Sequence, residues 1–381
     1  MKRHLLVTND FPPKVGGIQN YLWDLWSRLD PASFVVLTAS SDDDAASFDA
    51  AQAARGVRIE RVPSSILFFP SPQVHRDIDD CVRRHGIDLV LLDPALPLGL
   101  LGPRLGVPYG VVLHGAEVTV PGRLPGARGA LARVLRDASI VVSAGRYPAT
   151  EGRRVVPGRA TRFVEIPPGV DTAAVAPLKA PERRAARARL GLPTAGPLLA
   201  SVSRLVPRKG MDVLIEAANR LAPSYPDLVV AIGGDGRERQ RLERLAADSL
   251  VDVRLLGRVS DDDRAALLGA ADVFVMACRN RWGGLEQEGF GIVFLEAAAF
   301  GVPQVAGDSG GAPEAVLDGR TGLIVEDPSD PGAVAEAIRT LLADPALRRR
   351  MGRAARTRVQ ESFDTDVLAS RLAEALAGVA I

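Results

Sequence analysis

Two carboxylates, Glu288 and Glu296, are separated by seven residues within the stretch EQEGFGIVFLEAAAFGVP, residues 286–303. The stretch reads as a loop, Glu288-Gly289-Phe290-Gly291, opening directly into a helix over 292–300. Gly301-Val302-Pro303 stops that helix, because Gly accepts a left-handed cap and Pro cannot continue the ladder. Two glycines let the backbone approach a ligand with no Cβ in the way. A helix start offers unpaired N–H groups and the positive end of a dipole, which suits phosphate. A carboxylate beside a phosphate is unfavourable unless it binds something else, and sugar or ribose hydroxyls are good donors to it. The pattern therefore points to a nucleotide-sugar site. Taken alone, it equally fits a buried helix with a glycine turn.

Three further segments carry candidate chemistry. Arg204 and Lys209 lie five apart before a helix, where a guanidinium fork and a point charge can converge on one diphosphate. Only four of the 47 basic residues are lysine, so Lys209 is the less expected residue and Arg208 reads as a solvated basic loop residue. Gly16-Gly17 precede the first helix after a loop longer than its turn needs, giving a second glycine-lined helix start. His114 follows a strand at its carboxyl end, where α/β sites form, although a lone His is more often structural. With no near His or Cys partner it is not expected to ligate zinc.

Other signals are discounted. The acidic runs 41–44 and 260–263 read as helix caps rather than metal ligands. Gly233-Gly234-Asp235-Gly236 lacks dinucleotide-motif spacing. Arg123, Arg128, Arg133 and Arg136 interleave with Leu124, Leu131, Val134 and Leu135, which suits a basic amphipathic surface for anionic lipid but more simply a solvated helix face.

The elements that must position these residues alternate from end to end. Short β-branched runs, such as 4–8, 34–38, 109–113, 198–202 and 273–276, alternate with amphipathic stretches, the pattern of parallel strands with crossover helices. The alternation stops near Pro167-Pro168-Gly169 and restarts at 198. Residues 177–193, rich in Pro, Arg and Ala, read as the hinge or linker, with a helix over 182–190. Two α/β domains result, at 1–168 and 169–362, with the final helix, 365–377, unplaced in the second. At 381 residues and 47% hydrophobic the chain has material for two cores. A net charge of +1 gives no global field to recruit nucleic acid. Two cysteines imply neither a disulfide framework nor a metal cluster, and a reducing, cytoplasmic setting is expected. The basic start has an apolar run too short for a signal peptide, and nothing is long and apolar enough to span a bilayer.

Taken together, the carboxylate pair, the EGFG loop, Ser203-Arg204…Lys209-Gly210 and Gly16-Gly17 resemble family 4 retaining glycosyltransferases. The resemblance runs nearly end to end. It implies a GT-B fold: two Rossmann-like domains facing across a cleft, with the C-terminal helix, 363–381, crossing back to the first. It also implies roles. Arg204 and Lys209 would hold the diphosphate, Glu288 would contact sugar hydroxyls and Glu296 the ribose. Gly289, Phe290, Gly291, Ile292 and Val293 would present backbone to phosphate and sugar. Arg258-Val259 would border the base, Gly16 and Gly17 would close over the phosphates, and His114 would sit at the sugar and acceptor. Within the family, NDFPPKVGGIQNYL, SRLVPRKGMDVL, the 278–282 segment and AGDSGGAPEAV resemble members that move mannose from GDP-mannose to a phosphatidylinositol mannoside-type glycolipid. No metal or other cofactor is implied, and peripheral contact with the inner membrane face is. Phe290 departs from the Leu of the pattern, and residues 40–160 diverge. A UDP- or ADP-sugar donor, a soluble acceptor, and a GT-B sugar-nucleotide epimerase or hydrolase remain open.

Overall fold

The apolar runs become strands buried along their whole length. In the computed structural model, which describes residues 2–14, 16–40, 44–63, 69–158 and 161–379, the chain falls into two units. One comprises Met1–Gly169 with Thr365–Ile381, the other Val170–Asp364.

The first unit holds a seven-stranded parallel sheet: β1 (His4–Thr8), β2 (Phe34–Ala39), β3 (Arg58–Val62), β4 (Leu89–Asp93), β5 (Tyr109–Leu113), β6 (Ile140–Ser143) and β7 (Phe163–Glu165). Their order is β3-β2-β1-β4-β5-β6-β7. Every residue of β1, β2, β4, β5 and β6 is buried, as strands covered on both faces must be. The order reverses between β1 and β4, so their connections leave in opposite directions and open a crevice at the strand carboxyl ends. There Thr8 pairs with Asp93, and β5 lies along the other side of β4. One face of this sheet is covered by Gly17–Trp26 together with the final helix, Thr365–Ala377. Tyr21, Leu22 and Leu25 share a core with Leu368, Leu372 and Leu376. The last helix therefore belongs to the first sheet.

The second unit repeats the design with six parallel strands: β8 (Leu198–Val202), β9 (Val229–Gly233), β10 (Asp252–Gly257), β11 (Val273–Met276), β12 (Gln304–Gly307) and β13 (Gly322–Val325). Their order is β10-β9-β8-β11-β12-β13, and the switch falls between β8 and β11. The segment after β8 carries Arg204 and Lys209, and the one after β11 carries Glu288.

Three readings need correction. Residues 177–193 are not a linker. Ala180–Arg189 is a helix packed on the second unit, Ala186 and Leu192 lie in its core, and Arg183 and Arg187 are bound by Asp272. The arginines suggested solvent because their partner lies far along the chain. Ala45–Ala53 and Ala116–Arg123 are helices that the sequence pattern left as loops. The first carries only two buried residues, Ala45 and Gln52, and the second contains Pro121; neither shows a readable apolar stripe. Finally, Arg123 and Leu124 do not share one helix with Arg133. Arg123 closes Ala116–Arg123, and Ala127–Asp137 is a separate helix. Its Leu131, Val134 and Leu135 are buried in the core, so its apolar face is not a membrane surface.

Candidate functional site

The second unit's switch point brings a lysine, an arginine and a carboxylate together. The 3-10 turn Pro207–Lys209 ends in Gly210, whose φ of 70° a Cβ would strain. That turn sends Lys209 inward, where it is 8% exposed, onto Glu288, which is 5% exposed. The Lys209 ammonium donates to Glu288 Oε2 at 2.6 Å. Arg208 Nη1 donates to the same oxygen at 2.7 Å. Burial alone would raise the Glu288 carboxyl, but the charges and hydrogen bonds of Lys209 and Arg208 hold it below the usual range. Glu288 is anchored by its backbone too. Its N–H donates to Ser309 Oγ at 3.1 Å and its carbonyl accepts from Gly311 N at 2.9 Å. The result is a fixed, ionised carboxylate whose Oε1 makes no hydrogen bond among the described residues, an acceptor for hydroxyl groups.

Arg208 is the residue the sequence reading passed over. In an arginine-rich chain its type carried no signal, yet its side chain is only 13% exposed. Nor is Lys209 a free ammonium awaiting phosphate, because Glu288 already neutralises part of its charge. Arg204, by contrast, is exposed and forms no ion pair among the described residues. The structure thus brings Lys209 and Glu288 together and leaves Arg204 available to an anion.

The helix after Glu288 runs Ile292–Ala299. It is capped by Gly291 in the left-handed region at φ 84°, with no side-chain cap. A Cβ on Gly291 would lie 2.6 Å from the Phe294 ring. The N–H groups of Ile292 and Val293 therefore open the helix without an intrahelical acceptor. Gly289 is half-buried and Phe290 buried; the Phe290 ring packs at a tilt on Phe363, 5.7 Å between centroids. Glu296, half-buried, lies 3.5 Å from Arg264 Nη2, a neighbour the sequence gave no reason to name. Arg258 is 89% exposed, 3.6 Å from Asp235, with Val259 half-buried beside it.

In the first unit Gly17 opens the helix Gly17–Trp26 and Gly16 is its extended cap, at φ 173°. His114, one residue past β5, is not a lone histidine. Its Nε2 lies 2.7 Å from Asp93 Oδ1, and Tyr21 meets its ring edge-on at 5.4 Å. Burial lowers its pKa, but Asp93, through charge and hydrogen bond, with Glu117 and Asp10, raises it above the ordinary value. The sequence reading gave Asp93 no role. Its signal was positional: a carboxylate at a strand's carboxyl end beside the switch.

The remaining candidates resolve locally. Ser260 caps Asp261–Ala270 by accepting from Asp263 N. Residues 41–43 lie outside the described set, and Asp44 caps Ala45–Ala53 without a side-chain bond. Cys81 has polar neighbours that spacing along the chain does not show. It lies with Glu60 and His85, their ligand atoms within 4.8 Å of one another. Glu60 is forked by Arg84 at 2.8 and 2.6 Å and bonded to His85 at 2.5 Å. Burial pushes the Cys81 thiol up to about 12. Those neighbours make the trio a satisfied ion-pair network of the β3 edge.

Two mononucleotide-type sheets, with cationic and carboxylate groups at the switch of one and a half-buried histidine at the switch of the other, define the architecture of a GT-B glycosyltransferase. The chain belongs to the family 4 glycosyltransferases. The model for "Glycosyl transferases group 1" matches residues 182–358 and that for "Glycosyltransferase Family 4" matches residues 15–174. It is 41% identical over 381 residues, 98% of each chain, to a Mycolicibacterium smegmatis protein. That relative is named GDP-mannose-dependent alpha-(1-6)-phosphatidylinositol monomannoside mannosyltransferase. A Corynebacterium glutamicum relative, 37% identical with 98% of each chain covered, is named for the monoacylated form of the same reaction. Among solved structures, the Anabaena protein Alr3699/HepE in complex with UDP and glucose matches with a TM-score of 0.79. That match is 22% identical and covers 99% of this chain and 100% of the other. No helix among the described residues is long and apolar enough to cross a membrane.

Proposed function

We propose that this glycosyltransferase moves a mannosyl residue from GDP-mannose to a phosphatidylinositol mannoside-type lipid at the inner membrane face, with retention and without a metal. The observation carrying the substrates is identity running from end to end with relatives named for that reaction. The switch-point cluster of the second unit supplies the chemistry. Departure of a nucleoside diphosphate leaves negative charge on the phosphates, and fixed positive groups placed where that charge develops lower the barrier. Arg204, Lys209 and the N–H groups of Ile292 and Val293 take that role, with Arg208 sharing the charge of Glu288. Glu288 Oε1 accepts from sugar hydroxyls and Glu296 from the ribose. Arg258-Val259 borders the base, Gly16 and Gly17 serve the phosphates, and His114 serves the sugar and acceptor hydroxyls.

Thermal melts with a nucleotide panel test the donor, since only a bound ligand raises the midpoint. GDP is expected to raise it more than UDP or ADP at equal concentration; a larger shift with UDP overturns the guanine assignment. Labelled GDP-mannose supplied with a lipid extract tests the acceptor, and label in free mannose alone would make the protein a hydrolase. Transfer is expected to persist in excess EDTA. Loss of activity that Mg²⁺ or Mn²⁺ restores would overturn the metal-free mechanism.

A further inference from the structure

The reversal of strand order in the first unit sets the ends of three neighbouring strands around one carboxylate. Asp93 ends β4, Thr8 of β1 is its register partner, and His114 follows β5 on the other side. Asp93 is 1% exposed. An ionised carboxylate only accepts hydrogen bonds, and this one is used on both oxygens. Oδ2 accepts from the Thr8 hydroxyl at 2.7 Å and Oδ1 takes the His114 ring at 2.7 Å. Because Asp93 accepts, Nε2 of His114 must carry the proton, and the partner of one ring nitrogen sets the role of the other. Nδ1 makes no hydrogen bond among the described residues.

The ring is held by more than this bond. Tyr21 stands edge-on against it, and the Tyr21 hydroxyl is itself tied to the Ile166 carbonyl at 2.8 Å. The Glu117 carboxylate binds the backbone N–H groups of His114 and Gly115. Asp10 accepts from Gln19 at 2.6 Å, and its backbone N–H donates to Thr8 Oγ1 at 2.9 Å. The charged and titratable groups facing the imidazole are thus Asp93 from β4, Asp10 from the segment after β1, Glu117 from Ala116–Arg123 and Tyr21 from Gly17–Trp26, with Lys14 beside Asp10.

We infer that Asp93 is a positioning residue for the transfer reaction: with Thr8 behind it, it locks His114 into one ring orientation and tautomer, Nε2 turned into the fold and Nδ1 left to meet a sugar or acceptor hydroxyl. This rests on the reading that places His114 in the transferase site. The same geometry favours the imidazolium. His114's contribution to folding stability is full below its ordinary pKa of 6.5 and is lost as pH rises through its raised folded value.

The test is Asp93→Asn in the full chain, which keeps the shape and removes the charge. Histidine resonances are followed by NMR through a pH titration, with His114→Gln supplying the assignment. The wild-type protein should show His114 protonated on Nε2 with a midpoint above that of a free histidine. In the variant the midpoint should fall and the tautomer preference weaken. With GDP-mannose and the lipid acceptor, kcat should drop by about ten- to a hundredfold, the scale of a charge-assisted bond, and its pH profile should shift with the titration. KM for GDP-mannose should stay within about twofold. Thr8→Val, which removes the hydroxyl's bonds to Asp93 and the Asp10 N–H but leaves the Asp93–His114 bond, should move both readouts the same way by less, and stands in if Asp93→Asn does not fold.

An unmoved His114 titration in both variants overturns the inference, whatever the activity. A moved titration with unchanged kcat overturns Asp93's part in the reaction while leaving transfer intact. A wild-type protein that transfers nothing from GDP-mannose defeats the proposed function instead, and the resonances still report whether the pairing exists.

Discussion

Lys209→Ala is expected to slow single-turnover mannosyl transfer by about ten- to a hundredfold or more. A hydrogen bond to a charged partner contributes roughly 1.5–3 kcal/mol, and each 1.36 kcal/mol lost from the transition state costs about tenfold in rate. The buried ammonium has two uses. It answers charge developing on the diphosphate, and it keeps Glu288 ionised as an acceptor of hydroxyl groups. Arg208 binds the same oxygen at 2.7 Å, so the carboxylate is not stranded when the lysine goes, and the variant should fold. The two uses separate by pH. In the wild-type protein Glu288, held below its ordinary pKa of 4.5, contributes stability that is full above that value and is lost as pH falls through the depressed folded one. Without Lys209 the folded pKa climbs, so acid destabilisation should begin at a higher pH. Melting midpoints followed from pH 7 downward would show this, and turnover equal to wild type would remove Lys209 from the mechanism.

The sequence exposes most of the scaffold and only part of the site, for a physical reason. Strands buried on both faces are written as β-branched runs, so β1, β5, β6, β8 and β11 stand out with their ends in place. Helices with a strong apolar stripe, such as Met211–Leu221, do as well. Ala45–Ala53 and Ala116–Arg123 do not, because short helices with two buried residues each carry almost no periodic signal. In the site, residue types rare in this chain were readable: one of four lysines, a glutamate in a glycine loop, a histidine at a strand end. Arg208 was hidden by the abundance of its own kind, and Asp93 by its neighbours Leu91, Leu92 and Pro94. What identifies both is a partner more than twenty residues away along the chain. Arg208 finds Glu288, 80 positions on, and Asp93 finds Thr8, 85 positions back, and His114, 21 on. Spacing along a chain cannot report such pairs, whereas strand order can, because each lies where a sheet reverses.

The same long-range pairing predicts the largest stability effect, at the opposite end of the second sheet. Asp272 accepts from Arg183 Nη2 at 2.8 Å, from Arg187 Nη2 at 3.0 Å and from the Leu198 N–H at 2.9 Å. Its side chain is 12% exposed and that of Arg187 only 6%. Burial would raise the Asp272 carboxyl, but Arg183, the Leu198 N–H and Arg187 hold it low. Asp272→Ala would leave the Arg187 guanidinium buried without its counter-charge, and breaking such a pair typically costs about 3–5 kcal/mol. For a domain near 200 residues that corresponds to a fall in Tm of roughly 6–20 °C. Asp272→Asn, which can still accept from Leu198, should fall less. Because Asp272 holds the helix Ala180–Arg189 to the amino-terminal ends of β8 and β11, while Lys209 and Glu288 follow their carboxyl ends, the loss should be one of stability alone. Turnover per folded molecule, measured well below the variant's Tm, should match wild type within about twofold. A variant that melts with the wild-type protein would show that the arginines find solvent or other partners at no cost. One that melts early and is also slow when folded would show that the two ends of the sheet are coupled.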